Sequence, residues 1–297
     1  EFLSVGQLDD DFSVRIQFSD ETKKPKILTD FKALPSDAFR VIEIGDIAHR
    51  VALSRSQLDH LSSFQHLRFL YLRCDQLSEK DLALIANNRR LQRLHLFSES
   101  LPDDPAIWEK MKTCTYFYDF TFYSTSTQPL KITSQFLEGV ASCPQLRSVE
   151  LNGNLTFAGI ADCPLAQLSN LFDLKLSGEH ISEPFILGIK QIGQLKQLAI
   201  ETDELTSSSL GFLESAKSLQ ILKLGGSKVL GDQEMRSFLQ AHGGLYQLQL
   251  ADFPKITPAL LDAFSRYDQL YRLSFENCPK IGSGLNQLPN LKKLGRL

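Results

Sequence analysis

Cysteine is scarce in this sequence, and its distribution excludes the closely spaced ligand sets of common metal and redox sites. The 297 residues contain five cysteines, at positions 74, 114, 143, 163 and 278. Their number is odd, and no two have the spacing of a zinc site or of a redox pair. We therefore expect buried free thiols, as in a reducing compartment, and we predict no metal and no cofactor.

The sequence also lacks a charge imbalance and a long apolar run. Lys and Arg number 32 against 35 Asp and Glu, so the formal net charge of -3 gives no reason to expect nucleic acid or an anionic membrane as partner. No apolar run approaches the roughly 18 residues of a membrane-spanning helix, and no signal peptide is visible. These absences favour a cytoplasmic over a secreted protein. Because the chain begins with Glu1, we expect a fragment or a processed form.

A repeat runs through most of the chain. The stretch "LYQLQLADFPKI" at 245–256 is echoed by "LYRLSFENCPKI" at 270–281. The underlying pattern, apolar-x-x-apolar-x-apolar, recurs at intervals of 21 to 29 residues. It begins at Phe39, Leu67, Leu91, Phe117, Leu146, Leu171, Leu195, Leu219, Leu245, Leu270 and Leu291. A steady period in this range is the mark of a solenoid.

Each period predicts a strand followed by a helix. Apolar residues alternate in the first part, as in Leu248-Gln249-Leu250, and this suits a strand. In the second part, "SEKDLALIAN" and "TPALLDAFSRY" carry apolar residues at helical spacing. Candidate capping residues precede three helices, at Ser78, Thr206 and Thr257. One such unit cannot bury its apolar faces alone, so the units stack, their strands form a parallel sheet, and the leucines become core.

The repeat resembles the leucine-rich repeat. "LSFENCPKI" at 273–281 is close to the cysteine-containing form, and "LQLADFPKIT" at 248–257 has Phe253 where that cysteine would sit. The helical second half resembles the ribonuclease-inhibitor-like and cysteine-containing subclasses. The resemblance covers about 39–297 and implies an α/β horseshoe of ten to eleven repeats, with a concave parallel sheet and convex helices. In this family, one position after each strand holds asparagine or cysteine, and it is called here the ladder position. In this chain its residue type varies, and its occupants include Asp75, Glu99, Thr125, Asn154, Glu179, Asp203, Ser227 and Cys278.

The two ends of the chain depart from the repeat. Residues 1–38 do not follow it, and "FSVRIQF" at 12–18 alternates strictly. We predict an N-terminal cap there, with a β-strand or hairpin, because terminal repeats need their apolar edge covered. The repeat domain then spans 39–297, with a C-terminus that we expect to be truncated. The longest interval holds the polar loop "STSTQP" at 124–129, which either lies beside a binding surface or is an insertion without a role.

Catalytic chemistry has no sequence signature here. The six histidines include no pair with metal-binding helical spacing, and no cysteine stands beside one in a ligand motif. We predict no catalytic residue, no metal ligand and no enzyme activity.

Binding residues are predicted from the strand alternation. Since the leucines point inward, the residues between them face outward and line up across the sheet. Exposed aromatic residues beside arginine are typical of interface hot spots, although such rings also pack on one another across strands. The predicted partner-binding residues on the concave face are Phe69, Tyr71, Arg93, His95, Phe97, Tyr118, Asp119, Tyr123, Arg147, Phe172, Tyr246, Tyr271 and Arg272.

These residues favour a non-catalytic module that binds a protein or a peptide, with no nucleic acid and no membrane insertion. Two alternatives follow from the family resemblance. One is the substrate-recognition part of an F-box-type ubiquitin ligase, because cysteine-containing repeats often follow an F-box. The other is a secreted or surface repeat protein of a microbe that contacts a host.

Overall fold

Strand–helix repeats build both halves of the chain. The computed structural model describes residues 2–8, 11–17, 40–44, 61, 64–73, 79–101, 104–213, 216–288 and 293–296. Contacts divide the chain into two compact units, Glu1–Asn154 and Leu155–Leu297, called here unit 1 and unit 2. The predicted domain boundary at residue 38 and the predicted helix cap at Ser78 lie outside the described residues.

In unit 1 the strands form a sheet that is parallel after its first pair. The strand β1 pairs antiparallel with β2, and β2, β3, β4, β5, β6 and β8 follow in parallel order. Strand β2 contains most of the stretch predicted to alternate. The bounds are β1 Phe2–Leu8, β2 Asp11–Gln17, β3 Val41–Ile44, β4 Phe69–Arg73, β5 Arg93–Ser98, β6 Asp119–Ser124, β7 Leu130–Lys131 and β8 Ser148–Gly153.

The helices that the structure describes in unit 1 are short, and side chains cap two of them. They are α1 Glu79–Ile85, α2 Pro105–Met111 and α3 Ser134–Ala141. The Asp104 side chain caps α2 by accepting from the Ala106 N atom over 2.8 Å. Thr133 does the same for α3, where its Oγ1 atom accepts from the Phe136 N atom over 3.0 Å. Both caps satisfy backbone donors that a first helical turn leaves open.

Unit 2 repeats the arrangement with five long parallel strands in the order β10, β11, β12, β13, β14. Thr257 caps its helix as predicted, but that helix is 3₁₀ rather than α. The strands are β9 Leu155–Thr156, β10 Asp173–Ser177, β11 Gln197–Glu201, β12 Ile221–Gly225, β13 Gln247–Ala251 and β14 Arg272–Glu276. The helices are α4 Glu183–Ile189, α5 Ser207–Leu213 and α6 Asp232–Ala241, with 3₁₀ turns at Pro164–Gln167, Pro258–Arg266 and Gly282–Gln287.

The repeat leucines form the core, as predicted. Leu70, Leu72, Leu94 and Leu96 are each at most 1% exposed. In unit 1 an aromatic cluster joins helices to sheet, since the Trp108 ring lies edge-on to Phe120 and Phe136 at centroid distances of 5.2 and 5.5 Å. Such edge-to-face pairs add to the free energy that burial already supplies.

The four described cysteines are free and buried. Burial raises the pKa of the Cys114 thiol to about 11, and of the Cys143 and Cys163 thiols to about 12. Cys278 occupies the ladder position and donates to the Leu250 carbonyl over 3.6 Å. Each thiol is therefore a packed apolar group rather than a nucleophile.

At three ladder positions, different side chains donate a hydrogen bond to a backbone carbonyl; one is the Cys278 bond above. The Ser227 hydroxyl donates to the Leu205 carbonyl over 2.8 Å, and the Asn154 amide donates to the Ser126 carbonyl over 3.4 Å. Serine at this position thus satisfies a backbone carbonyl of the preceding repeat, as asparagine and cysteine do at Asn154 and Cys278.

Candidate binding surface

The face of the unit 1 sheet opposite its buried leucines, called here the front face, carries three rows of side chains. Along β4 and β5, buried leucines alternate with half-buried front-face residues. Arg73, at the end of β4, is the exception, because it follows Leu72 and is itself buried. The strand register aligns these residues across β4, β5, β6 and β8. The rows are Phe69, Arg93, Asp119 and Ser148; Tyr71, His95, Thr121 and Glu150; and Arg73, Phe97, Tyr123 and Asn152.

Arg93 lies between two aromatic rings in the first row. Its guanidinium carbon is 5.0 Å from the Phe69 ring centroid and 5.4 Å from that of Tyr118. Its Nε atom donates to the Tyr118 hydroxyl over 2.9 Å. Burial works against the charged form, but hydrogen bonds to Tyr118 and Tyr71 outweigh it and raise the pKa of Arg93 above its ordinary value. We call Phe69, Arg93 and Tyr118 the arginine clamp.

Asp119 connects the arginine clamp to the second row. One carboxylate oxygen is 3.6 Å from the Arg93 Nε atom, and the other is 3.4 Å from the His95 Nε2 atom. The His95 ring lies edge-on to Tyr71 with centroids 4.5 Å apart. Tyr71 and Tyr118 lie on the side away from the leucine core and are half-buried, because Tyr71 packs against His95 and Tyr118 against Arg93.

A pocket of about 650 Å³ opens beside these residues. Its aromatic wall is the pair Phe97 and Tyr123, whose ring centroids are 5.7 Å apart. Arg73 and Glu150 supply opposite charges to the lining. The polar remainder comes from His95, Thr121, Ser124, Thr125, Ser126, Asn152 and Asn154. The polar loop after β6 thus contributes Thr125 and Ser126 to the pocket.

One glycine permits the chain to leave β8 close to the pocket. Gly153 has φ 95°, and a Cβ atom there would lie 2.3 Å from the Ser124 carbonyl oxygen. A side chain at this position would be both strained and obstructed. The close approach of β8 to the end of β6 places Asn152 and Asn154 at the pocket.

The thirteen predicted residues do not all share this surface. Nine belong to unit 1, where Arg147 is exposed immediately before β8. The other four, Phe172, Tyr246, Tyr271 and Arg272, belong to unit 2. The last three are exposed at the starts of β13 and β14, and the rings of Tyr246 and Tyr271 stack with centroids 5.3 Å apart and an interplanar angle of 9°.

Much of the corresponding face of the unit 2 sheet is polar, and several of its side chains pair with one another. Lys223 forms an ion pair with Glu201, which also accepts from the Ser177 hydroxyl over 3.3 Å. The Gln249 amide donates to Glu276 over 2.7 Å. These pairs already satisfy each other, so the pocket and the arginine clamp make unit 1 the stronger candidate for binding.

The pocket's polar lining was largely missed by sequence reasoning. Arg73 and Asn152 each directly follow the last apolar position of their motifs, so the same alternation would have placed them in the third row. The described residues include no cluster of three or more potential metal ligands. Among them there is also no helix long and apolar enough to cross a membrane.

Comparisons with known proteins identify the fold. No protein-family model matches the chain, and no curated protein sequence matches it. Similar solved structures include an internalin, InlF, from Listeria monocytogenes, with 19% identity and a TM-score of 0.52 over 80% of this chain and 61% of the internalin. The yeast Rad7–Elc1 complex aligns over 86% of this chain and 73% of the matched chain, with 17% identity and a TM-score of 0.52.

A third match is the plant peptide hormone receptor RGFR1 in complex with RGF2, with 13% identity and a TM-score of 0.50 over 91% of this chain and 46% of the receptor. These neighbours are leucine-rich-repeat proteins. The chain has the leucine-rich-repeat fold. The predicted α/β solenoid is therefore confirmed, and the chain spans about 61% of the length of the internalin that it matches.

Proposed function

We propose that the chain is a non-catalytic binding module that holds a protein or peptide partner on the front face of unit 1. The observation that carries this proposal is the pocket of about 650 Å³ beside the arginine clamp. Pockets of this size that combine aromatic walls with a few polar groups are typical of binding sites.

The composition of the front face supports a protein or peptide as the occupant. Tyr123 is 38% exposed at the pocket wall, and Arg93 is held between two rings. Tyr and Arg are enriched among the residues that dominate protein interfaces, because each offers a large contact area together with hydrogen bonds. Two structural neighbours are themselves solved in complexes, Rad7 with Elc1 and RGFR1 with RGF2.

The proposal includes the cellular compartment and the subclass of the repeat. The four buried free thiols support a reducing, cytoplasmic environment. The Cys278 ladder bond supports the cysteine-containing subclass of the repeat. A module of this kind would serve either as the recognition part of an F-box-type ligase or as a microbial repeat protein that contacts a host, and both alternatives remain predictions.

Partner capture tests the proposal. We would immobilise the whole chain, expose it to lysate of the source cell and quantify the retained proteins by mass spectrometry. Tyr123→Ala removes an exposed ring from the pocket wall. Tyr116→Ala is the matched control, because Tyr116 is 62% exposed in the turn between α2 and β6, outside the front face.

We expect Tyr123→Ala to deplete a specific protein by about tenfold, as for an interface hot spot, while Tyr116→Ala leaves its capture unchanged. If wild type and both variants retain the same proteins in equal amounts, the pocket is not the binding site and the proposal is wrong.

A further inference from the structure

The front face of unit 1 holds the guanidinium group of Arg93 in a fixed position. Arg93 is held by Phe69 on one side and by Tyr118 on the other, and its Nε atom is hydrogen-bonded. Guanidinium groups lose rotamer entropy when they bind a ligand, and packing between rings removes much of that cost beforehand. Arg93 is therefore organised for binding before any ligand arrives.

The Arg93 guanidinium keeps donors for a ligand. An arginine has five N–H donors in a planar fork. Around Arg93, among the residues that the structure describes, the Tyr118 hydroxyl accepts from the Nε atom, and an Asp119 carboxylate oxygen lies 3.6 Å from the same atom. Meanwhile 40% of the side chain stays exposed. The outward part of the fork matches the two oxygens of a carboxylate.

Neighbouring charges favour an acidic ligand at this edge. Arg68 directly precedes β4 and Arg147 directly precedes β8, so both lie along the same strand-start edge as Arg93. The Arg93 N atom donates to the Arg68 carbonyl over 3.0 Å, which places the two residues side by side. Arg68, Arg93 and Arg147 thus lie along an edge that also carries the Asp119 carboxylate, although the chain as a whole has a net charge of -3.

We propose that Arg93 binds the side-chain carboxylate of an Asp or Glu in the partner, and that the partner is a peptide segment whose neighbouring residues enter the pocket. This inference rests on the proposed function. From Arg93 to Phe97 on the same face is four residues, or about 13 Å along the strand. An extended segment of about four residues spans that distance, so one short acidic peptide reaches both the arginine clamp and the aromatic wall.

A nucleic acid fits this surface less well than an acidic peptide. Glu150 lines the pocket, and Asp119 lies between Arg93 and His95. These two carboxylates would repel the evenly spaced phosphates of a nucleic acid strand. A single carboxylate on the outward part of Arg93, followed by uncharged residues in the pocket, brings no negative charge to Glu150.

The test begins with peptide selection. We would select a phage-displayed random peptide library on the immobilised whole chain, after removing phage that bind the support alone. Displayed peptides lack a free C-terminus, so any carboxylate that is selected comes from a side chain. We expect the enriched peptides to share one Asp or Glu position, and the same selection on Arg93→Gln to lose that preference.

Affinities of one enriched peptide then measure the contact. By fluorescence anisotropy, replacing the shared Asp by Asn or Glu by Gln should weaken binding by about tenfold or more. Arg93→Gln should weaken binding of the acidic peptide by the same factor and leave binding of the amide peptide unchanged, because both substitutions remove the same contact. Arg266→Gln, an exposed arginine in the last turn of the Pro258–Arg266 helix, is the charge-matched control and should bind like wild type.

The outcomes separate the two proposals. If no peptide is enriched on the wild-type chain, the proposed function itself fails. If peptides are enriched without a shared acid, or bind Arg93→Gln as tightly as wild type, only the carboxylate contact is wrong. Arg93-dependent binding of a 20-residue oligo-dT strand, as tight as that of the peptide, would overturn the choice of partner class. Should Arg93→Gln fail to fold, the acid-to-amide change in the peptide still decides the question.

Discussion

The Arg93 Nε atom donates a hydrogen bond to the Tyr118 hydroxyl over 2.9 Å, from the first residue of β5 to the residue before β6. The bond joins two neighbouring repeats on the side of the sheet that faces away from the core. The side chains that would meet a partner therefore also hold each other in place, and substitutions there affect both stability and binding.

Removing the hydroxyl alone measures how much this bond contributes to stability. Tyr118→Phe keeps the ring beside Arg93 but removes the acceptor of its Nε donor. We expect the free energy of unfolding to fall by about 0.5–1.5 kcal/mol, toward the lower end because both groups reach solvent. Urea denaturation followed by circular dichroism measures the change. Tyr116→Phe, at an exposed tyrosine outside the front face, should change it by less than about 0.5 kcal/mol. Equal losses in the two variants would contradict the role given to the bond.

A helix glycine in unit 1 is required by the tryptophan that packs on it. A Cβ atom at Gly139 in α3 would lie 2.2 Å from the Trp108 Cδ1 atom, and Trp108 is only 2% exposed. Gly139→Ala should therefore destabilise the chain by about 1–3 kcal/mol through overpacking, despite the higher helix propensity of alanine.

Gly211 in α5 provides the matched comparison for Gly139. It is exposed, and no atom lies within 4 Å of its virtual Cβ position. Gly211→Ala should stabilise the chain by about 0.4–1 kcal/mol, because it reduces the entropy of the unfolded state without a clash. Thermal unfolding of the two variants should shift in opposite directions. If both unfolding temperatures shift in the same direction, packing on Trp108 does not decide whether alanine at position 139 stabilises or destabilises the chain.

Strand alternation was enough to predict the rows of the front face, but not what its residues do there. The two-residue period fixes which side of a sheet a residue faces, so Arg93, His95 and Phe97 could be placed from the sequence. Whether a ring points to solvent or packs on a neighbour depends on side-chain rotamers, which the period does not specify. Tyr71 and Tyr123 thus carried the same prediction, although Tyr71 packs against His95 and Tyr123 is exposed.

The pocket was harder to predict because its wall depends on backbone conformation outside the strands. Gly153 brings β8 close to Ser124 through a left-handed φ, and the polar loop after β6 completes the lining. Neither feature has a period, so neither is visible in the repeat pattern. By contrast, the repeated leucines predicted the core directly, because burial of one face is what the spacing encodes.

An exposed histidine in unit 2 should titrate above the ordinary histidine pKa. The His180 Nδ1 atom donates a hydrogen bond to the Glu204 carboxylate over 2.9 Å, and this bond raises the pKa of His180, with further contributions from Asp203 and Glu179. A pH titration of the His180 ring protons by NMR should give a pKa above about 6.5. In Glu204→Gln the pKa should fall, and an unchanged value would contradict the assignment.

The sign of the linked stability follows from the direction of that shift. Because the folded-state pKa is raised, protonated His180 stabilises the fold fully below the unfolded pKa of about 6.5. The contribution is lost as pH rises through the folded pKa. The difference in unfolding midpoint between wild type and Glu204→Gln should therefore be larger at pH 5 than at pH 8.

The buried thiols should resist alkylation while the chain is folded. Thiolate is the reactive form, and burial raises the pKa of Cys114 to about 11 and that of Cys143 to about 12; both side chains are 0% exposed. With iodoacetamide at pH 8, mass spectrometry should find both sites unlabelled in the native chain and fully labelled in urea. Cys278, which is 8% exposed, should label before either of them as denaturant is added. Rapid native labelling at Cys143 would show that the repeat opens locally there, since neither access nor thiolate exists in the closed fold.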